Sequence, residues 1–154
     1  MLPHAIGQFV IEWNRTERNL VRIIAKLSFD PPRSINDDEY FEARDYWLAK
    51  NYDLWSKELK DLAARFSGSR TGARLEKIER LFIEKRELRH NVVHGHYGGI
   101  NDDGASIYKR KPRHDEHYSE IISSHTVWAW IHQVRELTSE VGALEIEINT
   151  GGLR

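Results

Sequence analysis

A chain of 154 residues, 31% charged and 40% apolar, has the length to bury one core, and with no cysteine it can hold neither a disulfide framework nor a thiolate metal site. Its balance of 23 Lys and Arg against 24 Asp and Glu, net −1, argues against a surface that seeks polyanions indiscriminately. Lack of cysteine suits a reducing, cytoplasmic setting, and the first apolar stretch, Ala5 to Ile11, is cut by Glu12 and has no basic leader, so neither a signal peptide nor a membrane span is expected.

From the N-terminus, Ile6, Phe9, Val10, Trp13, Leu20, Ile23, Ile24 and Leu27 keep helical spacing and predict a long first helix, stopped by Asp30-Pro31-Pro32. A polar connector to Asp38 leads into a region rich in Tyr, Trp and Leu from Glu39 to Phe66. Asn51 divides it into two shorter helices, with Tyr40, Trp47, Leu48, Trp55, Leu59 and Leu62 facing inward. Ser67-Gly68-Ser69 and Thr71-Gly72 mark the next boundary. A charged helix then runs from Ala73 to His94 on an apolar side of Leu75, Ile78, Leu81, Phe82, Leu88 and Val92, with Gly95 as the residue that closes it.

Gly98, Gly99, Gly104 and Asn101-Asp102-Asp103 predict a turn-rich loop, followed by a short β-ribbon of Ala105 to Lys111 and His117 to Ile122 around Pro112. A last helix starts near Ser124 to Thr126 and places Val127, Trp130, Ile131, Val134, Leu137, Val141 and Leu144 against the first helix. The expected fold is all-α: a single domain over residues 1–154, an antiparallel bundle of four to five helices with a loop or β-ribbon insertion around 98–122.

Arg89-His90-Asn91-Val92-Val93-His94-Gly95 carries the chemistry. A neutral His can take the proton from a ribose 2′-hydroxyl, and an Arg can hold the phosphate and offset the charge that grows on it. Five helical steps set Arg89 and His94 roughly 140° apart around an ideal axis, so a second protomer, or unwinding at Gly95, is expected to bring them onto one phosphate. Charge is also unevenly spread. Residues 70–114 hold 11 Lys or Arg against 6 Asp or Glu, whereas the two flanks together hold 12 against 18.

The Arg89 to His94 stretch resembles the HEPN superfamily (higher eukaryotes and prokaryotes nucleotide-binding domain), whose hallmark is an Arg, a polar residue, and a His after four to six intervening residues near the end of a long helix. The resemblance implies an all-α domain and a metal-independent endoribonuclease with no cofactor. It also implies a homodimer in which two Arg and two His form one composite cleft. By it, Arg89 and His94 are the catalytic residues, clamp and base, with His90, Asn91 and His96 in support. His96 falls within the family spacing and is the alternative base. Cleavage would leave a 2′,3′-cyclic phosphate and a 5′-hydroxyl, in a toxin or a defence system. Some relatives pair with a nucleotidyltransferase antitoxin that adenylylates a Tyr two residues after the motif His. That position here is His96, and Tyr97 follows it, a departure from the pattern.

Other readings stand beside this one. A His in a last helical turn can simply cap the helix, with Arg89 pairing to Glu84 or Glu87, and the chain would then be a non-catalytic RNA- or nucleotide-binding or protein-interaction module. Glu87, His90 and His94 at i, i+3 and i+7 share one stripe and form a possible metal site. Tyr108, Lys109, Arg110, Lys111 and Arg113 are candidate RNA contacts, the cations neutralising phosphates and Tyr108 stacking on a base. Alternatively they keep an exposed strand edge soluble.

Overall fold

The computed structural model describes residues 1–94, 96–101, 104–110 and 117–151, and side chains at 1–94, 104 and 121–151. Five helices and three strands follow in the order α1 (Leu2–Leu27), α2 (Asp38–Leu48), α3 (Tyr52–Arg65), α4 (Arg70–His94), β1 (His96–Asn101), β2 (Gly104–Arg110), β3 (His117–Ser123) and α5 (Ser124–Asn149). The expected helical bundle holds. No helix among the described residues is long and apolar enough to cross a membrane. Packing divides the chain into two compact units, Met1–Asn14 with Glu84–Arg135, and Arg15–Ile83 with Glu136–Arg154, so α1, α4 and α5 each give a segment to both.

The long helices form because their apolar residues recur once per turn. In α1 the buried stripe is Leu2, Ala5, Phe9, Trp13, Leu20, Ile23, Ile24 and Leu27, while Ile6 and Val10 sit half-exposed on its flank. Leu75, Ile78, Leu81, Phe82 and Val92 do the same for α4, and Val127, Ile131, Val134, Leu137, Val141 and Leu144 for α5. Fully burying each such side chain contributes roughly 1.5–3 kcal/mol.

Helix direction follows from the polar contacts. In the unit built on Arg15–Ile83, Thr16 Oγ1 meets Thr138 Oγ1 at 2.6 Å and Lys26 Nζ donates to Asn149 Oδ1 at 2.8 Å, so α1 and α5 run the same way. The other unit agrees, with Arg135 Nη2 donating to Glu12 Oε1 at 2.8 Å and His4 lying 6.0 Å from Trp128. The antiparallel order belongs to α4 against α5: Lys77 meets Glu140 at 2.7 Å, and Arg74 meets Glu147 at 3.4 Å. The β excursion between α4 and α5 reverses the chain, which is why the last helix returns parallel to the first.

Local chemistry sets the boundaries. Asp37 caps α2 by accepting from Glu39 N–H, and Asn51 caps α3 by accepting from Leu54 N–H at 3.0 Å, which divides the aromatic region as its position predicts. Ser69 starts α4 one residue before Arg70, its hydroxyl accepting from Gly72 N–H at 3.1 Å. Gly72 is obligatory there, because a Cβ would lie 2.2 Å from the Phe66 carbonyl oxygen. Of the residues expected inside, Tyr40, Trp55, Leu59 and Leu62 are buried, but Leu48 is 49% exposed, because the end of α2 leaves that face uncovered.

The strands pair antiparallel in the order β1-β2-β3. The expected ribbon appears as β2 and β3, with Arg110 opposite His117 and Gly104 opposite Ser123. The expected glycine loop is corrected: Gly98 and Gly99 lie in β1, where His96 pairs with Tyr108 and the register shifts between Gly98 and Asn101. Backbone ladder bonds across the hairpin override the local turn preference of these glycines. Gly104 is buried, and a Cβ there would come within 2.7 Å of the Ile122 carbonyl oxygen.

Candidate functional site

Val92 fixes the last turn of α4. It is 2% exposed, which turns its neighbours outward: Val93 is 43% exposed, His90 and His94 are exposed, and Arg89 and Asn91 are half-buried. His90 and His94 are four residues apart on one stripe, and their rings lie 5.2 Å apart at 49°. The angular separation of the two Cα positions does not keep the side chains apart. Arg89 Nη1 stands 2.9 Å from His94 Nε2. The long Arg side chain spans the angular gap that the Cα positions leave, so the two groups meet within one chain.

This contact has a defined polarity. A guanidinium carries only donors, so His94 Nε2 must be the acceptor, with the ring proton on Nδ1. The ring therefore offers a lone pair at the atom facing the cation. A guanidinium beside an imidazole lone pair is the arrangement that a phosphate can enter from solvent, taking the cation on one side and presenting an adjacent hydroxyl to the nitrogen on the other.

Glu87 belongs to the same stripe, but a metal site on Glu87, His90 and His94 is not formed. No group of three His, Asp or Glu among the described residues is placed to hold an ion. The spacing is right for one helix face, yet Glu87 and His94 stand two turns apart, roughly 10 Å along the axis, too far for both to reach one ion.

The basic excess of residues 70–114 is partly spent on structure. Arg70 and Arg74 reach Glu147 at 3.4 Å each, and Lys77 reaches Glu140 at 2.7 Å, forming a ladder between α4 and α5. These cations answer the acidic excess of the C-terminal flank. Tyr108, Lys109 and Arg110 belong to β2, which pairs with β1 directly after the motif, and Tyr108 stands opposite His96 in the register. The side chains of His96, Tyr108, Lys109 and Arg110, and the whole of Gly95, Lys111 and Arg113, lie outside the described residues.

A cavity of about 490 Å³ is lined by Arg18, Val21 and Arg22 of α1, Ile35 and Asn36 of the connector, and Tyr40, Phe41, Arg44 and Leu48 of α2. Its signal in the sequence is Arg18 and Arg22, one turn apart beside the apolar stripe of α1.

Compared with protein-family models, with curated proteins and with solved structures, the chain matches none. Fold and site together define a helical bundle that presents an Arg–His pair at the exposed end of its fourth helix.

Proposed function

We propose that this protein is a metal-independent endoribonuclease of HEPN type, with Arg89 and His94 as its working pair. The observation that carries the reading is the 2.9 Å approach of Arg89 Nη1 to His94 Nε2. Charge-assisted bonds from a guanidinium to phosphate oxygens are stronger than a bond to a neutral ring nitrogen, so bound RNA draws Arg89 onto the scissile phosphate and releases Nε2. His94 then takes the 2′-hydroxyl proton, the 2′ oxygen attacks phosphorus, and the P–O5′ bond breaks. The products are a 2′,3′-cyclic phosphate and a 5′-hydroxyl, the leaving oxygen having gained a proton.

His90, whose ring lies 5.2 Å from that of His94, is a supporting residue in this reading, as are Asn91 and His96. Tyr108, Lys109, Arg110, Lys111 and Arg113 are the candidate secondary RNA contacts of this reading. A homodimer brings two such pairs together, and a toxin or defence role in the cytoplasm, with a partner antitoxin, suits an enzyme that damages RNA. Support for the pair's role is the exposure of His94 together with a lone pair aimed at a permanent cation.

The test is incubation of the purified protein with tRNA and mRNA in EDTA, beside Arg89→Ala and His94→Ala. Wild type is expected to cleave and leave cyclic phosphate ends, and each variant to lose about a hundredfold or more in rate. Uncut RNA in every condition, or equal cleavage by all three proteins, defeats the proposal. The same closed contact favours a second reading, a binding module in which Arg89 stays on His94. Under it RNA is retained but not cut, and His94→Ala binds as wild type does.

A further inference from the structure

We infer that the cavity between α1 and α2 is a binding site for a small anion with an apolar, aromatic body, of the aryl phosphate or aryl carboxylate class. Its walls are sorted by chemistry. Val21, Ile35, Tyr40, Phe41 and Leu48 form the apolar part, while Arg18, Arg22 and Arg44 bring three guanidinium groups, and no Asp or Glu belongs to the lining. Arg22 and Arg44 each pair with a carboxylate outside the lining, Glu145 and Asp45, so the charge of Arg18 gives the site its net positive character and its preference for an anion.

The cations are held ready. Arg44 donates through Nε and Nη2 to Asp45 Oδ1 at 3.0 and 2.8 Å, and its guanidinium stands 5.0 Å over the ring of Phe41. Arg22 is fixed by Glu145 at 2.8 Å. Arg18 sits one turn earlier on the same face of α1 and makes no ion pair among the described residues, so its charge is available to an incoming ligand.

Exposure of the apolar walls points the same way. Ile35, Phe41 and Leu48 are 45%, 41% and 49% exposed around this one cavity. Large side chains left this open lose hydrophobic stabilisation that a ligand body restores. At about 490 Å³ the space is of the size that small-molecule sites occupy, roughly 300–1,000 Å³. Neither Arg89 nor His94 lines it, so this site stands apart from the proposed ribonuclease pair.

Titration of the full chain with phenyl phosphate, followed calorimetrically, tests the assignment. Saturable binding of one molecule per chain is expected, with inorganic phosphate and benzyl alcohol each binding at least about tenfold more weakly because each supplies half of the recognition. Benzoate distinguishes a requirement for phosphate from a general oxyanion site, and saturation by either aryl anion supports the class. Arg18→Gln and Arg44→Gln are each expected to weaken phenyl phosphate about tenfold, and Arg15→Gln, exposed on α1 outside the cavity, to leave it unchanged. Should Arg44→Gln fail to fold, Arg18→Gln alone decides, since it removes an exposed charge with no ion pair among the described residues. No saturation by either aryl anion, equal affinity of Arg18→Gln and wild type, or an acidic peptide that binds there and is not displaced by phenyl phosphate would overturn it.

Discussion

At His94 an exposed ring accepts a bond from Arg89, so its replacement separates chemistry from folding. His94→Gln is expected to melt within about 0.5 kcal/mol of wild type, since nothing buried is lost, while the proposed RNA cleavage falls to background. Thermal denaturation beside a cleavage assay reads both. Gly72 behaves in the opposite way. Placing a Cβ at 2.2 Å from the Phe66 carbonyl forces the turn between α3 and α4 open, so Gly72→Ala is expected to cost roughly 2–3 kcal/mol in a denaturant titration.

Glu58 is a third residue with a measurable consequence. Burial, and then the neighbouring charge of Asp61, raise its carboxyl above the ordinary value of 4.5. The folded chain therefore binds this proton more tightly than the unfolded one, and its contribution to stability declines as pH rises from 4.5 through the raised value. Glu58→Gln is expected to be more stable than wild type at neutral pH and to show no advantage below the ordinary carboxylate range. A lower melting temperature for the variant at neutral pH contradicts this assignment.

Among the elements, α4 joins two kinds of charge. Its first half is tied to α5, because Glu147 meets both Arg70 and Arg74, so Glu147→Gln is expected to cost about 1 kcal/mol and to cost less in high salt. Its last turn carries the proposed chemistry. The sequence showed the basic excess of this region, but not its division, since an ion pair between residues 74 and 147 leaves no local signature. Replacing Lys109, Arg110 and Lys111 with Ser tests the β2 extension of the proposed interface: the salt dependence of RNA binding should flatten, and an unchanged slope removes the ribbon from it.

Across the whole molecule, the elements with strong repeat patterns were legible in advance. The stripes of α1, α4 and α5, the Asn51 division and the β2–β3 ribbon all depend on neighbours in sequence. What was hidden depends on partners far along the chain: the third strand, the parallel course of α1 and α5, and the open face around Leu48. The Arg89–His94 approach lay between these cases, because residue positions alone omit the reach of a side chain. Since the pair closes within one chain, a mixture of Arg89→Ala and His94→Ala proteins is expected to remain inactive. Recovery of cleavage on mixing would show that the clamp and the base act from opposite protomers.

Lys26 is 1% exposed, its ammonium held by Glu145 and Asn149 in the closing turns of α5. A terminal turn ordinarily frays, yet unwinding this one would strand a cation in an apolar interior at a cost of roughly 3 kcal/mol. The amides near residue 149 should thus exchange with deuterated solvent as slowly as those midway along the helix, and the first helix inherits its anchorage from the far end of the polypeptide.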